Sequence, residues 1–438
     1  MARIFILFLF LCTYTYAASV HSIPEGHTIE DDEIEGALTE WLQKIFDVAN
    51  ITLTPKVYIL VSSEINAGAT YGGQIIVNTG LIQKCDHVGQ LIGVLAHESG
   101  HIAGSHLAKQ AMAQDKATAP AIATALLGGA LGLLAGNPAP LLAGTAGGLH
   151  MLERSLLKHS RDDEDAADSA AIQYLEKLHW PIEGLYEFLH MLNQKFSGYE
   201  DPYMSTHPLT ETRMGKIRSY KNPDTAKNTH TFPPEFEEKF KRIKAKIIGF
   251  METAIKVNTT YKASDKSVGA QYARAISAYR SRNFKDALER LDTLLKDFPQ
   301  DPYFLEVKGQ ILFETGRPSE AIVCFDQALQ KRPTSFNIGV LFAHAVVEGG
   351  KKEDYPKAIK WLNQAIEKNK QNAFAWRLLA RAHGEGDEAT LCLAEEAWAL
   401  NDVKRANAYA KKIQNSKNTV ISKRAKDIMA QAKLEEGK

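Results

Sequence analysis

The chain has 438 residues, with 52 Lys plus Arg against 52 Asp plus Glu. That zero balance argues against a chain-wide polyanion binder, because neutralising phosphates needs a basic excess. A hydrophobic content of 45% excludes a mostly disordered chain, a charged content of 24% excludes a polytopic membrane protein, and four cysteines exclude a disulfide-dense scaffold.

Residues 1–17 read as a cleaved signal peptide. Arg3 precedes an apolar run from Ile4 to Leu11, and Thr15 and Ala17 form a small-residue cleavage pattern. Cleavage leaves Cys85, Cys324 and Cys392, an odd number, so at least one thiol stays unpaired. The next stretch is rich in acids, among them Asp31, Asp32, Glu33 and Glu35. Ile34, Leu38, Trp41, Leu42 and Ile45 recur in it at helical spacing, which predicts an amphipathic helix with a solvated acidic face. Lys56–Ser62 and Gln74–Asn78 read as strands, the second bounded by glycines. Val88–Gln110 reads as a helix.

Within that helix lies His97-Glu98-Ser99-Gly100-His101. Two histidines at i and i+4 project from one face and can grip one Zn2+. Glu98 sits on an adjoining face, placed to act as general base on a water that the metal activates. Arg161–Leu178 reads as a further helix. Glu164 and Asp168 share its apolar stripe with Ala171, Ile172 and Leu175. Carboxylates on such a stripe are costly unless paired or metal-bound. Glu164 is therefore the expected third ligand. Asp168 is expected to fix the ring of a ligand histidine, and Arg161, on the same face, to pair with an acid or polarise a substrate oxygen.

These residues, with Ser160-Arg161-Asp162-Asp163-Glu164-Asp165-Ala166-Ala167-Asp168, resemble the gluzincin peptidases that include HtpX and the CAAX prenyl proteases. Asn66-Ala67-Gly68-Ala69, Gly73–Gly80 and Thr206-His207-Pro208 with Arg213 also match that pattern. Exported forms that carry tetratricopeptide repeats, the β-barrel assembly-enhancing proteases, are the most similar in organisation. The resemblance implies an α+β metallopeptidase domain, mostly helical, with a small sheet. It also implies that Gln74, Ile75, Ile76 and Val77 form an edge strand beside which substrate adds. An ordinary core strand is the competing reading. It gives His207 two roles: a displaceable fourth zinc ligand that keeps the enzyme latent, or a donor to the tetrahedral intermediate. Arg213 is a supporting residue.

Residues 117–152 carry no Asp, Glu, Lys or Arg. A single crossing there would separate His97 from Glu164 across a membrane, and two crossings need about 40 residues plus a turn. The segment therefore reads as a hairpin, 121–135 and 141–152. A lid over the cleft, a buried hairpin and a membrane-touching loop all remain open.

Residues 223–234 are polar and punctuated by prolines, as a linker or domain edge is. After about residue 267 the pattern changes. Ala287 and Ala321 lie 34 residues apart, as do Pro299 and Pro333. This is the tetratricopeptide period, and it predicts an all-α solenoid that binds proteins. A third unit surrounds Ala358, Trp361 and Ala365, and a degenerate fourth follows. Residues 401–438 hold ten Lys or Arg against four acids and read as a solvated basic tail. The expected order is thus a signal peptide (1–17), a zinc metallopeptidase domain (18–233), a connector (234–266) and a repeat domain (267–438). The expected function is periplasmic hydrolysis of misfolded or stalled outer-membrane β-barrel proteins, with one zinc per chain, protein clients or assembly machinery as partners, and no nucleic acid. The competing reading is a mainly latent protease that works as a chaperone or adaptor.

Overall fold

The computed structural model describes residues 26–70, 73–104, 161–196, 203, 206–220 and 230–436. The signal peptide and the uncharged 117–152 segment lie outside them. Contacts divide the chain into two compact units, with the division between Arg282 and Asn283.

The first unit opens with β1 (Thr28–Ile29) and α1 (Asp32–Ala49). Asp31 caps α1, its carboxylate accepting from the backbone N–H of Glu33 at 3.0 Å and of Ile34 at 2.9 Å. Leu38, Trp41, Leu42 and Ile45 are fully buried along the predicted face. The acids preceding that face are not all solvated. Asp31 and Glu33 are buried, because α7 (Pro234–Met251) and α9 (Val268–Arg280) bring partners to them. Lys246 Nζ lies 2.7 Å from Asp31 and 3.2 Å from Glu33, Arg242 lies 2.7 Å from Glu33, and the Tyr272 hydroxyl donates to Glu33 at 3.2 Å. Buried acids persist only with such partners.

β2 (Val57–Leu60), β3 (Ala67–Ala69) and β4 (Ile75–Asn78) complete a sheet ordered β1-β2-β4-β3. β4 is parallel to β2 and antiparallel to β3. The expectation of an edge strand over Gln74–Val77 is therefore corrected: β4 has a neighbour on each side. Its Ile75, Ile76 and Val77 are buried on both faces, as suits a central strand. The edge is β3. Thr70 N–H donates to Gln74 O at 2.8 Å and Asn78 N–H to Asn66 O at 2.9 Å. Alternation along an antiparallel pair then turns the N–H and C=O of Ala67 and Ala69 away from β4, toward the open side.

α2 (Thr79–Lys84) leads into α3 (Val88–Ala103), which carries the His-Glu-Ser-Gly-His run. α4 (Arg161–Lys177) and α5 (Glu183–Phe196) pack on α3. A Cβ on Gly100 would fall 2.8 Å from Ala167 O, so α3 and α4 meet backbone to backbone at that turn. α6 (Glu211–Ser219) follows, then α7, α8 (Ala254–Thr260) and α9. α7 packs on α1, α2, α3 and α9.

The second unit is a run of helices, each packed on the next: α10 (Phe284–Asp297), α11 (Pro302–Glu314), α12 (Pro318–Lys331), α13 (Phe336–Gly349), α14 (Tyr355–Lys368), α15 (Ala373–His383), α16 (Asp387–Ala399), α17 (Val403–Ile413) and α18 (Thr419–Glu436). Ala287, Ala321 and Ala358 are fully buried, each at a close approach between helices, as the period requires. The architecture is an α+β domain followed by a helical repeat solenoid. Cys85, Cys324 and Cys392 are all buried and unpaired. No described helix is long and apolar enough to cross a membrane.

Candidate metal centre

The N-terminal half of α3 is apolar and buried, and it carries His97, Glu98 and His101 into the interior with no solvent exposure. One turn apart, His97 and His101 bring their Nε2 atoms to 3.1 Å. From α4, Glu164 approaches both: Oε2 lies 3.4 Å from His97 Nε2, and Oε1 lies 3.3 Å from His101 Nε2. His207 Nδ1 lies 3.0 Å from Glu164 Oε1, and its Nε2 lies 3.6 Å from Glu98 Oε1. One ligand atom from each of His97, His101, Glu164 and His207 falls within 4.8 Å of all the others. Three imidazoles and a carboxylate converging on one point can hold a divalent metal ion. Glu98 stands beside this cluster. Its Oε2 accepts from the backbone N–H of Ala69 at 2.9 Å, while its buried Oε1, 3.6 Å from His207 Nε2, has no hydrogen-bond partner among the described residues.

Around the cluster lies a second set of fixed charges. Asp168 Oδ1 meets His97 Nδ1 at 2.8 Å, which turns the other ring nitrogen toward the centre. Arg213 clamps Asp168 through Nε at 2.7 Å and Nη2 at 3.0 Å. Its Nη1 lies 2.7 Å from Glu164 Oε2 and donates to Pro208 O at 2.8 Å. Arg161, expected to face these acids, is instead exposed at the first turn of α4. The guanidinium that meets both acids is that of Arg213, which is buried and comes from α6. Tyr203 is a neighbour that sequence reasoning missed. It is buried, its ring stacks on His207 at 4.5 Å, and its carbonyl accepts the His207 N–H at 2.7 Å. Its place one helical turn before His207 was the available signal.

Proton affinities follow these contacts. Burial disfavours a charged His97, but hydrogen bonds with Asp168 and Glu164 outweigh it and carry the ring up to about 10. Burial would raise Glu164, yet hydrogen bonds from His101, His207 and His97 hold it far below the usual carboxylate range. Asp168 is likewise held down, by His97 and Arg213 against burial. Glu164 and Asp168 are thus held ionised with no solvent exposure, and buried carboxylates of this kind persist only beside donors or a cation.

Residues 33–221 match the sequence pattern of Peptidase family M48, and residues 272–336 match that of the tetratricopeptide repeat. The chain carries an M48 metallopeptidase domain followed by tetratricopeptide repeats. The M48 match spans α1 through α6 and so contains every residue of the cluster. The chain is 27% identical over 364 residues to the β-barrel assembly-enhancing protease of Escherichia coli strain K12, covering 80% of this chain and 72% of that protein. A protein named putative β-barrel assembly-enhancing protease from Vibrio cholerae is 24% identical over 351 residues, covering 76% and 69%. The metalloprotease YcaL of E. coli strain K12 is 28% identical over 180 residues, covering 39% and 63%. Among solved structures, MamA covers 37% of this chain and 94% of its own at 18% identity, with a TM-score of 0.28.

Proposed function

We propose that the protein is a zinc-dependent endopeptidase, exported to the periplasm, that cleaves misfolded or stalled outer-membrane β-barrel proteins. The observation that carries this reading is the convergence of His97, His101, Glu164 and His207 beside Glu98. Three nitrogens and one carboxylate suit Zn2+, and the buried, partnerless Glu98 Oε1 suits a base that awaits a water. His97, His101 and Glu164 would hold one zinc, with His207 as a fourth, displaceable ligand. When bound, the zinc supplies Lewis acidity that polarises the scissile carbonyl and makes hydroxide accessible near neutral pH.

The remaining steps belong to the chain. Glu98 takes the proton of the attacking water at Oε1 and returns it to the leaving amine. Asp168, clamped by Arg213, keeps His97 in the tautomer that points Nε2 inward. The substrate lies extended along β3, paired with the outward N–H and C=O of Ala67 and the outward C=O of Ala69, whose N–H is held by Glu98. This places the peptide beside the corrected edge rather than beside Gln74, Ile75, Ile76 and Val77. His207 would leave the centre when substrate enters; donation to the tetrahedral intermediate is the other role open to it.

The relatives' name points to outer-membrane protein assembly as the process served. The repeats supply the surface for clients or assembly machinery. Complete burial of Glu98 and the 3.0 Å contact from His207 to Glu164 favour a resting state that is closed. That is the feature an adaptor with a latent protease would share.

Metal analysis of the purified protein, paired with casein hydrolysis by wild type and Glu98→Gln, tests the proposal. The expected result is one zinc per chain in both proteins and hydrolysis by wild type alone. Equal hydrolysis by both would sink the enzyme reading.

A further inference from the structure

The ten cations of residues 401–438 are absorbed neither by the metal centre nor by the repeat period. In the structure eight of them belong to α17 and α18, Lys417 lies between the two helices, and Lys438 lies outside the described residues. These helices bury Ala406, Ala410 and Ile413 and, from α18, Ile421, Ala425 and Ile428 against Ala394 and Ala397 of α16. The opposite faces are outermost. On α17, Lys404, Lys411 and Lys412 are exposed; on α18, Lys423, Lys426 and Lys433 are exposed. At 100° per residue, the three lysines of α18 share one arc of about 140° with Val420 and Leu434. Those two apolar side chains are 73% and 69% exposed, although α18 has a complete buried face of its own. Among the described side chains, Asp427, which falls within that arc, and Glu435 are the acids exposed on the same helix.

We propose that the outer faces of α17 and α18 form a docking surface for an anionic phospholipid bilayer. Charge complementarity carries the choice, and the kind of cation refines it. Arg405 lies 3.5 Å from Asp402, and Arg424 is paired twice with Glu395, at 2.5 Å and 2.9 Å. Arg424, a side chain suited to bidentate recognition of bases and phosphates, is therefore engaged within the protein, whereas Arg405 is exposed and only loosely paired. Among the described residues of α17 and α18, six of the seven exposed cations are lysines, each a point charge on a long apolar stem that fits a diffuse plane of lipid headgroups. Single-strand binders stack bases on exposed aromatic rings, whereas the aromatic side chains here, Trp398 and Tyr409, pack against the buried cluster. Val420 and Leu434, set among lysines, are placed as side chains that dip below headgroups while the cations stay level with them.

The test is co-flotation of the full chain with phosphatidylglycerol–phosphatidylcholine vesicles and with pure phosphatidylcholine vesicles. The expected result is binding to the first alone, weakened by salt. Each lysine near an anionic surface changes partitioning by about fivefold, so the triple variant Lys423→Gln, Lys426→Gln, Lys433→Gln should lower it roughly 100-fold. A second variant, Val420→Ser with Leu434→Ser, keeps the charge and should still lower vesicle binding about tenfold. Circular dichroism of both variants should match wild type, since every substituted side chain is exposed. Failure to bind anionic vesicles, equal binding to both vesicle types, or wild-type binding by the triple variant would overturn the proposal. So would an unchanged Val420→Ser, Leu434→Ser variant together with equally tight binding of duplex DNA or polyglutamate, which would mark a general polyanion surface.

Discussion

The backbone N–H of Ala69 donates to Glu98 Oε2 at 2.9 Å. Ala69 is on the open edge of β3, so the donor that would meet an extended peptide is the one that holds the proposed base. Glu98 and the edge strand are one functional unit in this arrangement.

Ala69→Pro removes that donor while keeping an outward-facing edge position that tolerates proline. A hydrogen bond to a charged group contributes about 1.5–3 kcal/mol, so peptide hydrolysis should fall by roughly 10- to 100-fold. Zinc content should not change, because no ligand is touched. Loss of zinc together with activity would show that the contact is structural instead.

Gly100→Ala should be poorly tolerated. The added carbon meets Ala167 O at 2.8 Å and must push α4, with Glu164 and Asp168, away from α3. A cost of about 1–3 kcal/mol is expected, seen as a lower thermal midpoint and weaker zinc retention. Gly215→Ala is the control: nothing lies within 4 Å of its added carbon, and the exchange in α6 should be neutral or stabilising by up to about 1 kcal/mol.

Arg213→Lys is not conservative at this position. Lysine cannot reproduce the two bonds to Asp168 while also reaching Glu164 and Pro208 O. Loss of such outer support costs roughly 10- to 100-fold in metal affinity, which a chelator competition titration would read. An unchanged affinity would remove Arg213 from the site.

His207→Ala should raise basal proteolysis if the closed contact with Glu164 maintains latency. A casein assay at saturating zinc decides this. A fall in activity with an unchanged KM would leave only the oxyanion role.

The thiols should be silent in the folded protein. Burial pushes Cys85 from 9.0 up to about 12 and Cys392 likewise up to about 12, and it raises Cys324. At pH 8 the thiolate fraction of such a group falls from about one in ten to about one in ten thousand. Ellman's reagent should therefore find these three cysteines only after unfolding. The linkage has a definite sign: between pH 9 and 12 the unfolded chain gives up these protons first, so stability declines as pH rises.

Much of the centre was legible because its signals are local. The i, i+4 histidines and the acids on an apolar stripe are each defined within one helix, and the structure buries all four side chains. What the sequence hid is set by partners far along the chain. β3 is Ala-Gly-Ala, with no large apolar residue to mark it, and whether β4 is central depends on a pairing that no periodicity encodes. Arg161 was the expected partner of the α4 acids because it shares their helix, whereas Arg213 meets them only because α6 rests on α4. The acids Asp31 and Glu33 looked solvated because Arg242, Lys246 and Tyr272, which meet them, lie more than two hundred positions away.

That last cluster separates the unit of homology from the unit of folding. The M48 match ends at residue 221, yet the start of α1 is closed by side chains at 242, 246 and 272, and Trp41 rests against Phe236 at 5.7 Å. During synthesis the proposed metal ligands emerge long before these partners do. The peptidase body stays unfinished until the first repeat helix has been made, and a chain stopped at 221 should be aggregation-prone and fail to hold metal stably.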